Sequence, residues 1–352
     1  MSAKTGLQVD YRSLAEREPA RMDGLLGVVT FDDTPRGAPD ADVPVAQIRT
    51  PVLDGNTSVC EIWRTTGPVE SGRQARVRYR RSANVLFGCI AVPELQARSL
   101  GLVIRHAAEV AERSALHAAT EEAYREIFAT LDSLGYSHLL RVWNYLPEIN
   151  LENSGTERYW QFNKARRDAL IASGRDVTGN VPAACALGST SGSPLVIYFL
   201  ASKSAPVAIE NPRQISAYNY PPKYGPRPVF ARASMLQDSS TAMLFISGTA
   251  SIVGHETCHV GDAGAQTRES LMNVEALLGE ANRVARGTRF GLRELVYKVY
   301  VRDSSDLPAI QAQFTSAVGP AARVVFLRAD ICRPDLLVEI EAIGRHSLNG
   351  DA

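Results

Sequence analysis

The chain contains 352 residues, and its 38 Lys and Arg are balanced by 38 Asp and Glu, giving a formal net charge of +0. This length predicts two domains, while the neutral charge argues against nucleic acid or an anionic membrane surface as a partner. The N-terminus has no signal-peptide pattern and no apolar run approaches the ~20 residues of a membrane span, so we expect a soluble, cytoplasmic protein.

Short strand candidates fill roughly the first 80 residues, among them LLGVVTFD, SVCEIWR and QARVRYRRS, separated by turns rich in Pro and Gly. A repeat begins after them. The first copy consists of a strand at residues 84–92, a helix from about 117 to 134, a strand at 141–150, a helix around 158–170, and strands at 181–188 and 193–201. The second copy has the same order, with elements at 244–251, about 267–284, 295–303, around 310–318, 320–326 and 335–343.

Each copy therefore predicts an α+β unit in which helices back a mixed sheet. We place the domain boundary between residues 230 and 231. The N-terminal domain, residues 1–230, then holds the extension, the first copy and a connection rich in Pro and Tyr. The C-terminal domain, residues 231–352, holds the second copy.

The closing strand, DLLVEIEAI, contains Glu339 at a position where the pattern asks for an apolar residue. An ionisable side chain in a buried strand is costly unless it is paired or functional. Matching LLVEIEA to PLVIYFL places Ile197 opposite Glu339, and matching PAAR to PAAC places Cys185 opposite Arg323. A structural Arg–Glu salt bridge is the alternative. Because one copy lacks both charges, we favour a functional role for them.

Several long motifs occur in one order between about residues 80 and 345: NVLFG, RVWNYLPEIN, ERYWQFNKAR, ENPRQISAYNYPPKYGPRP, LFISGTASIVGHET and ADICRPDLLVEIEAI. Together they resemble the chorismatases, within the reactive-intermediate deaminase superfamily. The resemblance implies two fused chorismate-mutase-like units with a pseudo-trimeric shape, acting on chorismate without a cofactor. Since fusion removes interfaces that a trimer needs, we expect a monomer.

Chorismate carries two carboxylates, a ring hydroxyl and an enolpyruvyl ether, so its site needs cationic or hydrogen-bonding anchors and a proton donor. Glu339 is the predicted donor, because burial raises the pKa of a carboxyl group. Arg323 is predicted to hold a carboxylate, and the backbone around Gly248 to assist. The remaining candidate anchors, each of which could instead be a packing or surface residue, are Arg158, Arg166, Tyr220, Tyr224 and Arg227.

Cys332 stands seven positions before Glu339. The resemblance implies that a cysteine there is typical of the type that forms 3-hydroxybenzoate and pyruvate, although a buried cysteine can also be merely a small apolar residue. The alternatives are hydrolysis to 3,4-dihydroxycyclohexa-1,5-diene carboxylate, a mixture of 3- and 4-hydroxybenzoate, an imine deaminase of the wider superfamily, or a non-catalytic binding module.

A competing motif, HETCH at residues 255–259, matches the HExxH pattern of zinc proteases, with Glu275 or Glu280 as a possible third ligand. That pattern requires a helix, and Gly261 and Gly264 are expected to break one. The five cysteines show no CxxC spacing, which argues against a structural zinc site or a disulfide framework. We therefore expect no metal.

Overall fold

The structure is a computed structural model that describes residues 6–13, 23–31, 42–53, 55, 59–94, 114–153, 155–285 and 287–348. The N-terminal part forms a four-stranded sheet in the order β1-β4-β2-β3. Its strands are β1 (Gln8–Ser13), β2 (Leu25–Thr30), β3 (Val45–Gln47) and β4 (Val59–Arg64). Across the described ranges, no helix combines the length and apolar character needed to cross a bilayer.

The first repeat forms a six-stranded sheet in the order β11-β8-β12-β7-β6-β5. Its elements are β5 (Glu70–Gln74), β6 (Val77–Arg81), β7 (Val85–Val92), helix α1 (Ala115–Leu134), β8 (His138–Pro147), the ribbon β9 (Glu152–Asn153) and β10 (Thr156–Glu157), helix α2 (Arg158–Ala172), β11 (Ala183–Ser189) and β12 (Leu195–Ser202). Helix α1 begins where the Ser114 side chain accepts a hydrogen bond from the backbone N–H of His117, and it ends at Gly135, whose φ is 74°.

The second repeat forms a six-stranded sheet in the order β13-β14-β15-β20-β18-β19. Its elements are β13 (Val207–Ile209), β14 (Ala233–Gln237), β15 (Thr241–Ala250), the ribbon β16 (Ile252–Val253) and β17 (Glu256–Thr257), helix α3 (Ala263–Val284), β18 (Val296–Val301), helix α4 (Leu307–Val318), β19 (Arg323–Arg328) and β20 (Val338–Ser347). Four short 3₁₀ turns complete the described elements: Ala217–Asn219, Pro222–Tyr224, Leu292–Glu294 and Ser304–Asp306.

Read from its opposite edge, the second sheet repeats the first, strand for strand. In both, one parallel pair, β8 with β11 and β18 with β19, adjoins antiparallel neighbours. The predicted fold of two fused α+β units is therefore confirmed. The second sheet takes its edge strand β13 from before residue 231, where we had placed the domain boundary.

All three sheets share one core, which the N-terminal sheet helps to enclose. Its buried side chains come from the N-terminal sheet, for example Trp63, and from the inner faces of the repeats, for example Trp143, Tyr198 and Phe245. The helices cover the outer faces of the two six-stranded sheets, where separate apolar clusters form. The three sheets around a common core give the fold the predicted pseudo-trimeric shape.

Strand register corrects the predicted match between the two copies. Ile197 packs in the apolar cluster beneath the helices of the first unit, whereas Glu339 alternates with residues that pack beneath the helices of the second, so the two lie on opposite faces. Glu339 pairs with Tyr300 on β18, and Val196 pairs with Tyr145 on β8. The two tyrosine hydroxyls lie 2.7 Å apart. Val196 is therefore the counterpart of Glu339, and the acid is still confined to one copy.

The predicted match of Arg323 with Cys185 is also wrong. Arg323 pairs with Val296 on β18. Val296 lies four residues before Tyr300, just as Arg141 lies four residues before Tyr145 on β8, so Val296 and Arg141 correspond. Arg141 pairs with Ala183, which is thus the counterpart of Arg323. The PAAC and PAAR motifs align by sequence, but the strands that follow them, β11 and β19, differ by two residues in their register.

Candidate active site

A cavity of about 340 Å³ opens between the two repeats. One wall comes from the start of α2 and from the connecting segment between the two repeats, residues 210–233. The other wall comes from β15, β20 and the loop between β19 and β20. Five of the nine predicted site residues line it: Tyr220, Tyr224, Gly248, Cys332 and Glu339. Residues that the sequence had not indicated, including Tyr159, Trp160, Arg232 and Arg333, complete the walls.

Glu339 is the buried carboxyl group of this cavity, with only 4% of the residue exposed. Burial, together with the negative charge of Glu341, raises the pKa of Glu339 to about 8, although Arg141 and Arg302 act in the opposite direction. A carboxyl group with a pKa raised in this way is mostly protonated at pH 7. Glu339 can therefore donate a proton to a ligand at neutral pH.

Gly248 gives the Glu339 carboxyl group its space. It lies in β15 where the pairing with β20 is interrupted between Ile246 and Thr249. A Cβ atom at residue 248 would overlap Oε1 of Glu339 and would also approach Cβ of Cys185 to 3.1 Å. A glycine is therefore required here because the acid packs directly against the backbone.

Cys332 lies on the same wall, in the loop that precedes β20. Burial, with the nearby Glu339, raises the pKa of the Cys332 thiol to about 12. The thiol is therefore neutral at physiological pH and is not a nucleophile. Burial similarly raises the pKa of the Tyr159 hydroxyl on the facing wall. Both groups remain uncharged and can act as hydrogen-bond donors.

Two arginines bring positive charge to the cavity. Arg232 donates from Nη2 to the carbonyl of Ile215 at 2.7 Å and to the Tyr220 hydroxyl at 2.8 Å, while its buried Nε has no hydrogen-bond partner among the described residues. Arg333 donates from Nη1 to the His255 carbonyl at 2.9 Å, and its buried Nη2 likewise lacks a partner in the described part of the chain. Such N–H groups suit an anionic ligand, because a buried donor without a partner is costly.

The two predicted tyrosines hold these arginines in place. The Arg333 guanidinium lies 4.1 Å from the centre of the Tyr224 ring, and the Tyr224 hydroxyl donates to Glu256 at 3.0 Å. The Tyr220 ring lies 5.6 Å from the Tyr224 ring. Because stacking and hydrogen bonds fix each guanidinium, the cations are positioned before a ligand binds.

The other four predicted anchors lie outside this cavity. Arg158 is buried in an ion pair with Glu94 and donates to the Pro147 carbonyl at 2.9 Å, so its guanidinium is engaged away from the cavity. Arg166 is buried over the ring of Tyr124. Arg227 is exposed, and none of the three lines the cavity.

Arg323 is the clearest correction. It is exposed at the start of β19, and β18 separates this strand from the strand of Glu339. Its Nη2 donates to the carbonyl of Glu294 at 3.4 Å, and its side chain lines a different cavity, beside the N-terminal sheet. Strand order, which the sequence leaves open, thus places Arg323 away from the cavity that holds Glu339.

The HETCH segment does not form a helix. Glu256 and Thr257 belong to the two-residue strand β17, His255 lies beside Glu256, and His259 contacts Glu269 at 3.2 Å. The expectation that Gly264 breaks a helix is wrong, because α3 begins at Ala263. The described residues contain no group of three or more His, Cys, Asp or Glu that could hold a metal ion.

Comparison with known proteins identifies the family. The family model described as "Chorismatase FkbO/Hyg5-like, N-terminal" matches residues 61–201. A 3-hydroxybenzoate synthase of Streptomyces hygroscopicus is 38% identical over 337 residues, covering 91% of each chain. A chorismatase of Streptomyces rapamycinicus is 37% identical over 334 residues, covering 92% of this chain and 94% of the relative. A chorismatase crystal structure superposes with a TM-score of 0.83 at 31% identity, covering 97% of this chain and 98% of that one. The chain belongs to the chorismatase family.

Proposed function

We propose that this protein converts chorismate into 3-hydroxybenzoate and pyruvate, with Glu339 as the general acid. The observation that carries the proposal is a carboxyl group on the cavity wall whose pKa of about 8 keeps it protonated at neutral pH. A relative that is 38% identical is named 3-hydroxybenzoate synthase, which supports this product. Incubation of purified protein with chorismate, followed by a pyruvate assay and mass spectrometry of the aromatic product, tests the proposal. Absence of pyruvate would refute it.

In the proposed reaction, Glu339 protonates the methylene carbon of the enolpyruvyl ether. The bond between the ether oxygen and the ring carbon breaks, so the protonated side chain leaves as pyruvate. The neighbouring ring hydroxyl oxygen attacks that ring carbon and gives up its proton, which restores the Glu339 carboxyl group and leaves an arene oxide. The oxide opens, the ring loses one proton and the opened oxygen gains one, which produces the aromatic ring. Chorismate thus yields one hydroxybenzoate and one pyruvate without net uptake of water. The apolar part of the cavity wall, which includes Trp160, Phe230 and Ile252, favours this intramolecular attack over hydrolysis.

The Arg232 and Arg333 guanidinium groups are the proposed anchors for the two carboxylates. For Arg333→Met we expect kcat/KM for chorismate to fall about 10- to 100-fold, mainly through KM, because a charged hydrogen bond contributes about 1.5–3 kcal/mol. Steady-state pyruvate release measures this. Arg227→Met is the matched control, since Arg227 lies outside the cavity, and its kinetics should stay within about twofold of wild type. Equal losses in both variants would contradict the assignment.

Cys332 is the proposed determinant of product identity. For Cys332→Ala we expect pyruvate release to continue while the product shifts from 3-hydroxybenzoate toward 3,4-dihydroxycyclohexa-1,5-diene carboxylate, because the smaller side chain leaves room for water beside the reacting ring. Liquid chromatography with mass spectrometry gives the ratio of the products. Cys258→Ala, at a partly buried cysteine outside the cavity, should leave the ratio unchanged. An unaltered ratio in Cys332→Ala would remove this role from Cys332.

We also propose that the protein works as a monomer in the cytoplasm. The support is that three sheets of a single chain already enclose one core, so the cavity has both walls without a second subunit. Light scattering coupled to size-exclusion chromatography should give a mass close to the 38.2 kDa of one chain. A larger species that retains all the activity, with no active monomer, would contradict this.

A further inference from the structure

Four charged side chains lie inside the shared core, and they come from all three sheets. Lys298 on β18 contacts Glu61 on β4 at 2.8 Å and Glu341 on β20 at 2.7 Å. Arg141 on β8 contacts the second oxygen of Glu341 at 2.5 Å, and at most 3% of any of these side chains is exposed. Two cations therefore balance two carboxylates in a region without solvent.

Glu341 is held in its ionised form. Its Oε1 accepts a hydrogen bond from Trp143 Nε1 at 2.8 Å in addition to the contact with Lys298. Burial alone would raise the pKa of this carboxyl group, but Lys298 and Arg141 outweigh burial and hold the pKa of Glu341 below its usual range. The negative charge on Glu341 is thus fixed, since both of its oxygens are bound by donors.

Glu339 stands two residues before Glu341 on the same strand, so both side chains point to the same face of the sheet. Their surroundings differ sharply. Glu339 lines the cavity and forms no ion pair with any of the described residues, whereas Glu341 lies behind it and is paired on both oxygens. Burial is the larger cause of the raised pKa of Glu339, and the fixed negative charge of Glu341, two residues along the strand, adds to it.

We propose that Glu341 is a positioning residue for the reaction, whose fixed negative charge acts together with burial to keep the neighbouring Glu339 carboxyl group protonated and ready to donate. The N-terminal sheet takes part through Glu61, which neutralises the excess positive charge of Lys298 and Arg141 around Glu341. The role of Glu341 rests on the proposed function only for its effect on the reaction rate. The effect of Glu341 on the titration of Glu339 does not depend on what the substrate is.

Other groups around the Glu339 carboxyl belong to several elements. They are Tyr300 on β18, Cys185 on β11, Arg141 on β8, Tyr159 on α2, Arg302 after β18, Arg232 before β14, and Cys332, Arg333 and Asp335 in the loop before β20. Burial raises the pKa values of the tyrosines and cysteines among them, so they stay neutral near pH 8. Arg141 and Arg302 favour ionisation of Glu339. Glu341, on the same strand as Glu339, is the fixed negative charge that opposes the effect of these two arginines.

Two double variants, each of which removes one positive and one negative charge from the cluster, separate this role from a purely structural one. In E341Q/K298M the Glu339 carboxyl group should titrate at least about one pH unit lower than in wild type. In the matched control E61Q/K298M, which retains Glu341 and its contact with Arg141, the midpoint should move by no more than about 0.3 unit. Infrared difference titration measures the protonated carboxyl band, which is assigned to Glu339 by its absence in Glu339→Gln.

The kinetic consequence has a defined sign. Because the acid must be protonated, kcat/KM should fall as pH rises through the pKa that Glu339 has in the free enzyme. This alkaline limb should move to lower pH in E341Q/K298M by the same amount as the infrared midpoint. Loss of kcat in both double variants without movement of the limb would mean a structural role only and would overturn the proposal.

Titration of the wild-type protein provides a test that does not depend on whether the cluster variants fold. A Glu339 midpoint at or below about pH 5 in the wild-type protein would overturn the proposal, because Glu339 would then be ionised despite Glu341. Since the titration uses no substrate, a protein that fails to act on chorismate refutes the proposed function while leaving this measurement intact. Equal infrared shifts in the two double variants would also contradict a specific role for Glu341.

Discussion

Replacing Glu339 with glutamine should lower kcat for pyruvate release from chorismate by about 10²- to 10⁴-fold, the usual contribution of a general acid. The amide has nearly the same shape as the protonated carboxyl group but cannot donate its proton to carbon. The neutral replacement also places no new charge in the cavity, so the fold should be unaffected. Single-turnover measurements with excess enzyme would separate loss of chemistry from loss of binding.

Glu157→Gln supplies the control for this experiment. Glu157 also lines the cavity, but its Oε1 accepts a hydrogen bond from Asn150 at 3.1 Å, which a glutamine can still accept. We expect its kcat to remain within about threefold of wild type. Undiminished pyruvate release by Glu339→Gln, with the correct mass confirmed for the variant, would exclude Glu339 as the acid.

Replacing Lys298 with methionine should lower the free energy of unfolding by about 3–5 kcal/mol, the range observed when one partner of a buried ion pair is removed. Glu61 then loses its ion-pair partner, while Glu341 keeps its ion pair with Arg141 and its hydrogen bond from Trp143. Because Met fills much of the lysine stem's volume, the loss reflects charge more than packing. Urea denaturation at neutral pH, with the slope checked for a single transition, measures the change.

Two comparisons make this stability prediction specific. E61Q/K298M should recover much of the loss, since it leaves no unpaired carboxylate and glutamine can still accept the hydrogen bond from Trp63. Lys164→Met, which removes a surface ion pair with Asp168 where the lysine side chain is 61% exposed, should cost less than about 1 kcal/mol. If Lys298→Met and Lys164→Met have the same stability, the core cluster does not contribute as described.

The sequence predicted the repeated units because each apolar strand and amphipathic helix recurs in the same order. It also indicated Glu339, since a carboxylate in an otherwise apolar strand is locally anomalous, but the same strand also carries Glu341. The sequence could not distinguish Glu339 from Glu341 on physical grounds, because residues two apart in a strand lie on the same face. What separates them is the surroundings: Lys298 and Arg141 reach Glu341 from distant strands, and the cavity reaches Glu339.

The arginines show the limit of sequence reasoning most clearly. Arg227 and Arg232 are five residues apart in one irregular segment, and nothing periodic indicates which one points inward. Arg323 was chosen because of the repeat, but its strand lies at the edge of the sheet. Arg333 could have been suspected from its place beside Cys332. A loop has no periodic pattern from which a buried face can be predicted, so the directions of its side chains follow only from the tertiary structure.

The core cluster also constrains how this chain reaches its native state. Glu341 contacts Arg141 across 200 residues of sequence, and it lies on the last strand of the fold. During synthesis the strands carrying Glu61 and Arg141 leave the ribosome long before their partners exist, so the N-terminal sheet cannot complete its interior co-translationally. Such distant contacts slow folding and leave incomplete cores exposed to aggregation. We therefore expect the nascent chain to depend on chaperones until β20 is released.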